Sequence, residues 1–315
     1  MKSVTLLFPG QGSQYVGMGN DLYQYGPSQD IYNLANQSLD FSITSLMKEG
    51  PADKLALTEF TQPAIVTHSI ALFKQLEIEL AGLNIKIERV LGHSVGEYSA
   101  LIAAGAISFS DALKSVNKRG KYMQEACPAG LGAMYAILRV PGDIVEKACL
   151  AVSTETEKVM CANFNDPTQV VISGHASAAK KAVQWLADHF EQKHMAKELN
   201  VSAPFHSSLM EPAEKKLASY LSDIHFNENK IPYIANINAK EISVSGDQIK
   251  NNLITQVCGS VLWEQSIATL KDDTLCIEVG PGKVLTGLNK RINKSLKTFT
   301  LDTEAGFTGL KEFLS

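Results

Sequence analysis

The sequence lacks most of the features that would commit it to a metal, a membrane or a nucleic acid. Its five cysteines (Cys127, Cys149, Cys161, Cys258, Cys276) are scattered, with no CxxC pair and no histidine at metal-ligand spacing. A structural zinc site is therefore not expected, and an odd number of distant thiols suits a reducing compartment. Excess positive charge is missing: 29 Lys and Arg against 33 Asp and Glu give a net charge of −4, so nucleic acid is not expected as a partner. Long apolar runs are missing too. The longest, 100–107, falls well short of the roughly 20 residues of a membrane span. The opening run before Pro9 is too short for a signal peptide. No membrane contact and a cytoplasmic location are expected. There are no repeats or low-complexity segments. What remains is 315 residues, 45% hydrophobic and 20% charged, enough for one large domain or two smaller ones.

The most informative stretch is Leu91-Gly92-His93-Ser94-Val95-Gly96-Glu97. An apolar approach reads as a strand, and the run from Glu97 to Ala104 behind it reads as a buried helix ended by Gly105. Gly-X-Ser-X-Gly between them is the pattern of a nucleophile elbow. Two glycines remove Cβ atoms where strand and helix pack closely, so the serine can be pushed out over the sheet. The helix start brings free N–H groups and the positive end of its dipole to the same spot. The alternative is a strand-to-helix turn with an incidental serine.

Val4-Thr5-Leu6-Leu7-Phe8 is a continuous apolar strand of the kind buried on both faces of a parallel sheet. It ends in Pro9-Gly10-Gln11-Gly12-Ser13-Gln14. This loop reads as a weak phosphate cradle, as a carrier of backbone N–H groups to the carboxyl end of a strand, or as a plain turn. Residues 20–57 are mostly helical, and a further helix is expected to begin at Pro63 with His68 packed inside it. Another helix opens at 110–113, capped by Ser108 or Ser110, and carries Lys114, Lys118, Arg119 and Lys121. From 130 the texture changes to short alternating units. Strands near 133–138, 157–163, 168–173 and 195–199, with helices near 141–151 and 176–190, spell βαββαβ, the ferredoxin-like order. Strands at 231–236, 275–279 and 299–301 and helices at 211–221 and 248–257 follow, with a basic helix after Gly282.

Ser94 needs a base. Five of the seven histidines lie within helices or on polar element ends, and His93 abuts Ser94, where the elbow turns its side chain the other way. His206, on a loop between Phe205 and Met210 at the mouth of a helix, is the one to pair with Ser94.

Phe8-Pro9-Gly10-Gln11-Gly12-Ser13-Gln14, Thr61-Gln62-Pro63-Ala64, Gly92-His93-Ser94-Val95-Gly96-Glu97-Tyr98-Ser99-Ala100-Leu101, Arg119-Gly120, Phe205-His206-Ser207 and Glu278-Val279-Gly280-Pro281-Gly282 occur in this order along the chain. Together they resemble the malonyl-CoA:acyl carrier protein transacylases of type II fatty acid synthesis and the acyltransferase domains of polyketide synthases. The resemblance implies an α/β fold: an α/β-hydrolase-like large domain with a parallel sheet (1–129 and 201–315) and an inserted ferredoxin-like small domain (130–200). It implies a catalytic pair of Ser94 and His206, an oxyanion hole from the backbone N–H groups of Gln11 and Val95, and Arg119 gripping the malonate carboxylate. It further implies that Gln62 helps position the same carboxylate, that Asn163 lines the cleft from the small domain and that the main chain of Gln256 orients the histidine, a dyad rather than a triad. Phe205 matches members that accept malonate rather than methylmalonate. Malonyl-CoA and acyl carrier protein are the implied partners, with coenzyme A and phosphopantetheine as carriers, no tightly bound cofactor, no metal and a monomeric state. Docking of an acidic carrier protein requires a basic patch. Lys114, Lys118 and Lys121 offer one, and Lys283, Lys290, Arg291, Lys294 and Lys297 another. The rival readings are a stand-alone acyltransferase of a polyketide synthase, a serine hydrolase, which shares elbow and base but needs no Arg119, and a binding module that has kept the fold without forming a covalent adduct.

Overall fold

Two sheets organise the chain in the computed structural model, which describes residues 2–242 and 246–315. Among these residues the larger sheet contains β1 (Ser3–Phe8), β2 (Lys86–Gly92), β7 (Tyr233–Ile234), β8 (Glu241–Ile242), β10 (Leu275–Val279) and β11 (Lys297–Leu301). Its order is β11-β10-β1-β2-β7-β8, parallel throughout except for the antiparallel β8. β1 lies at the centre because Val4-Thr5-Leu6-Leu7-Phe8 is apolar enough to be covered on both faces. Val4, Leu6 and Phe8 enter the main core, while Leu7 joins Leu91 and Trp263 on the other side, the period of two expected of a strand.

The smaller sheet contains β3 (Gly132–Leu138), β4 (Val159–Asp166), β5 (Gln169–His175), β6 (Met195–Glu198) and β9 (Val261–Leu262), in the order β6-β3-β5-β4-β9. Its first four strands are antiparallel and carry the helices Gly142–Val152 and Ala176–His189 on one face, with a core of their own. This is the ferredoxin-like unit expected from the alternation. The fifth strand comes from outside the 130–200 stretch: β9 runs parallel to β4, with Asn163 opposite Val261. Arg291 Nε donates to the buried Asp166 carboxylate at 2.6 Å and ties the same strand to the helix Val284–Ile292.

The helix carrying Gln62 begins earlier than its sequence suggests. It spans Thr58–Gly82, with Pro63 inside it rather than at its start. A proline there removes the bond to the carbonyl four residues back. The structure compensates, since Asn117 Nδ2 donates to the Glu59 carbonyl at 3.0 Å. Every residue from Thr61 to Phe73 is buried, so this helix runs through the core and shows no amphipathic period. The neighbouring helix Phe109–Glu125 is capped by the Ser108 side chain, which accepts from the Asp111 N–H at 3.1 Å. At Gly120 a Cβ would meet the Thr58 carbonyl at 2.5 Å. The two helices therefore touch backbone to backbone, and Arg119 is carried inside the protein. Among the described residues no helix is long and apolar enough to cross a membrane.

Candidate active site

Ser94 sits between β2 and the helix Gly96–Ala103 with φ of 51°, inside the left-handed region that a serine rarely occupies. The turn is tight enough that a Cβ on Gly92 would strike the Gly96 backbone, and one on Gly96 would strike the Phe8 carbonyl. Strain of this kind persists only where the surroundings over-determine it, and here an asparagine does so. Asn236, two residues beyond the end of β7, accepts the Ser94 N–H on Oδ1 at 2.7 Å and donates Nδ2 to the Gly92 carbonyl at 2.6 Å.

His206 Nε2 stands 2.8 Å from Ser94 Oγ. Its Nδ1 faces two carbonyls, Gln256 O at 2.8 Å and Gly259 O at 3.1 Å. Carbonyls only accept, so Nδ1 carries the proton and Nε2 presents a lone pair to the serine. Among the described residues no carboxylate bonds to this ring. Burial, and after it the Arg119 charge, lower the imidazole pKa to about 3.

Arg119 is 1% exposed. NH1 donates to Gln62 Oε1 at 2.9 Å, and NH2 donates to Gln256 Oε1 at 2.8 Å and to Ser94 Oγ at 3.2 Å. A charge so deep is costly unless well coordinated. Here it is held by neutral amide oxygens and points at the nucleophile. That leaves it able to receive an anion attached to the serine.

A cavity of about 210 Å³ opens over these groups, lined by Gln11, Gln62, His93, Ser94, Arg119, Asn163, Phe205 and His206 among others. The Phe8 carbonyl accepts the His93 N–H at 3.0 Å and so pins the loop that carries Gln11 to the elbow. In the following helix the ladder starts with the Gly96 N–H, and the Val95 N–H lies ahead of it. The Val95 side chain is buried, away from the cavity lining. Asn163 and Phe205 are buried in the cavity wall, from β4 and from the loop before His206. All nine residues singled out in the sequence thus lie in or beside one site.

Three features were not anticipated. His93 leaves the serine to His206, yet its ring lines the same cavity, bonded through Nε2 to Asn165 Oδ1 at 2.9 Å. Asn236 sits at the carboxyl end of a strand next to β2, where ligand sites of open sheets gather. Glu97 is buried in the first turn of an otherwise apolar helix, and burial pushes its carboxyl up to about 7. A charged residue in so apolar a run was the available signal. Among the described residues no group of three or more His, Cys, Asp or Glu side chains could hold a metal ion.

A serine pushed out over a parallel sheet, a histidine against it and a second sheet beside the cleft suit acyl transfer, and the acyl transferase domain family matches residues 5–287. The malonyl CoA-acyl carrier protein transacylase of Bacillus subtilis is 41% identical over 304 residues, covering 96% of this chain and 94% of that one. The crystal structure of an acyl carrier protein S-malonyltransferase from Vibrio cholerae superposes with a TM-score of 0.90 at 38% identity, covering 98% and 100% of the two chains. A malonyl-transacylase solved in complex with a type II polyketide acyl-carrier protein gives 0.90 at 34% identity, covering 99% and 100%. The chain belongs to the malonyl CoA-acyl carrier protein transacylase family.

Proposed function

We propose that this chain moves a malonyl group from malonyl-CoA to the phosphopantetheine thiol of an acyl carrier protein, by way of a malonyl ester on Ser94, in fatty acid biosynthesis. The observation that carries the reading is the contact of a buried guanidinium with a histidine-bonded serine. Malonate places its carboxylate two carbons from the reacting carbonyl, so a cation 3.2 Å from Ser94 Oγ is within its reach. A hydrolase of uncharged esters has no use for that cation.

In the first half-reaction His206 Nε2 takes the Ser94 proton as Oγ attacks the thioester carbonyl. The oxyanion is received by the backbone N–H groups of Gln11 and Val95, each donor of this type being worth about 3–4 kcal/mol elsewhere. Collapse of the adduct breaks the C–S bond, and the departing coenzyme A sulfur takes the proton back from His206. The second half-reaction runs in reverse order with the carrier thiol: it gives its proton to His206, attacks the ester, and Ser94 Oγ leaves and is reprotonated. Arg119 pairs with the carboxylate as a planar fork. Gln62 holds the guanidinium in place. Asn163 lines the cleft from the other sheet, and Phe205 occupies the space a methyl branch would need.

The reading includes residues 130–200 as an insert over a catalytic body of 1–129 and 201–315, a monomeric chain, no tightly bound cofactor and work in the cytoplasm. For the carrier protein, the basic residues of Val284–Ile292 and its flanks offer one dock, since Val284, Leu285 and Leu288 line the cavity while Lys283 and Lys290 face outward, and Lys114, Lys118 and Lys121 offer another, facing outward from the helix whose Arg119 and Met123 line the same cavity. A chase experiment tests the transfer. The malonyl enzyme is freed of malonyl-CoA and divided between buffer and holo carrier protein. Rapid loss to the carrier and slow loss to water are expected. Equally fast loss to water would identify a hydrolase instead.

A further inference from the structure

Glu97 lies one helical turn beyond Ser94 and is 1% exposed. Its Oε2 accepts from Gln256 Nε2 at 2.6 Å and from the Asn236 N–H at 3.2 Å, while Oε1 has no hydrogen-bond partner among the described residues. Gln256 in turn presents its Oε1 to Arg119 at 2.8 Å and its main-chain carbonyl to His206 at 2.8 Å. A primary amide has a donor end and an acceptor end of nearly the same shape, and only its neighbours fix which way round it stands. Turned over, Gln256 would set an NH2 group against the Arg119 guanidinium, donor against donor, and its oxygen against Glu97. With two N–H groups facing it, Glu97 Oε2 acts as an acceptor whichever protonation state Oε1 adopts. Two further acceptors face Gln256 Nε2, Ser94 O at 3.1 Å and Asn236 Oδ1 at 3.3 Å, both longer than the Glu97 contact.

We propose that Glu97 is a positioning residue for the malonyl grip: it holds the Gln256 amide in one sense, and Gln256 thereby keeps the Arg119 guanidinium aimed at the group carried on Ser94. Glu97 touches neither substrate nor Ser94 Oγ. It acts through Gln256, and its loss weakens recognition of the carboxylate before it weakens the serine and histidine. The inference rests on the reading of Arg119 as the carboxylate anchor.

The test is the ratio of kcat/KM for loading from malonyl-CoA to that from acetyl-CoA, measured on the full chain for Glu97→Gln, Glu97→Asp, Glu97→Leu and, as control, Arg119→Ala. Leucine removes the acceptor. Aspartate withdraws it by about one C–C bond, roughly 1.5 Å, and supplies an answer if the leucine variant does not fold. Either change should lower the malonyl preference by about fivefold or more, through KM for malonyl-CoA, with acetyl loading little changed. Glutamine retains an oxygen at the same reach and should stay within about twofold of the native ratio. The inference is overturned if the aspartate and leucine variants keep the native ratio, if they lose malonyl and acetyl loading in parallel as a merely structural residue would, or if glutamine loses the preference as they do. Should Arg119→Ala keep full malonyl loading, the anchor reading itself fails, and that result is separate from the behaviour of the Glu97 series.

Discussion

Replacing Arg119 by alanine should abolish the preference for malonyl over acetyl groups without disabling the serine. The guanidinium is buried, and its NH1 and NH2 already donate to Gln62 Oε1, Gln256 Oε1 and Ser94 Oγ while Nε has no hydrogen-bond partner among the described residues, so it does not need to be desolvated again when a carboxylate arrives. At a charge separation of about 4 Å and an effective dielectric constant near 20, the pair is worth about 4 kcal/mol. The desolvation of the incoming carboxylate reduces this, and removal of one member of a buried pair typically costs about 3–5 kcal/mol. A loss of about 3–4 kcal/mol in transition-state binding corresponds to about a hundredfold to a thousandfold in kcat/KM for malonyl loading. Acetyl-CoA has no carboxylate to lose. Its loading should hold or rise, because the Arg119 charge also depresses the His206 base. Two amide oxygens, on Gln62 and Gln256, lose a donor, at about 1–3 kcal/mol each in folding stability, so a thermal melt must accompany the kinetics. Time courses of acyl-enzyme formation from each thioester provide the assay. The reasoning is refuted if malonyl loading is undiminished, or if both thioesters slow by the same factor in a folded variant.

Three further outcomes follow from the same geometry. Gly96→Ala drives a Cβ into the Phe8 carbonyl and should cost about 1–3 kcal/mol or more through backbone overpacking, seen as a lower Tm together with lost loading; a native melt would contradict the close packing of the elbow. His206 is held down to about 3, so it stays neutral through the range where an ordinary histidine, near 6.5, takes up its proton. The acid limb of kcat/KM for loading should therefore lie well below pH 6.5 and move up in Arg119→Ala. The folded-state pKa is the lower one, so the stability tied to the neutral ring is present above about pH 6.5 and lost as pH falls toward 3; a native acid midpoint at 6.5 would contradict this. Phe205→Ala should admit methylmalonyl-CoA, raising its kcat/KM relative to malonyl-CoA by about tenfold or more, within the roughly 1–3 kcal/mol that one methyl can command; an unchanged ratio would show that Phe205 only packs.

The parts of this protein that were legible in the sequence are those specified by local chemistry. Gly92 and Gly96 flank Ser94 because a strand-to-helix turn this tight leaves no room for Cβ atoms, and that spacing can be seen in five letters. The βαββαβ order could be read because each unit is long enough to show its period. β9 could not: Val261-Leu262 is two residues long and is a strand only because Asn163 and Phe164 lie alongside it. The start of the helix at Thr58 was hidden because the remedy for Pro63 is Asn117, 54 positions further along. The site divides in the same way. His206 was found by eliminating other histidines, while Arg119 looks like any helix arginine until Gly120 is seen to draw its helix against Thr58. Glu97 and Asn236 act on Ser94 and Gln256 through side-chain hydrogen bonds between distant segments, and such bonds leave no local pattern.

The central claim is that Ser94 holds a malonyl ester until a thiol arrives. Intact mass of the protein after brief exposure to malonyl-CoA tests it most directly, followed by peptide mapping and by addition of holo carrier protein. A gain of one malonyl group on the peptide containing Ser94, absent in Ser94→Ala and cleared as the carrier becomes malonylated, is the predicted result. A chain that gains no mass, carries the group elsewhere, or releases it only to water would contradict the account.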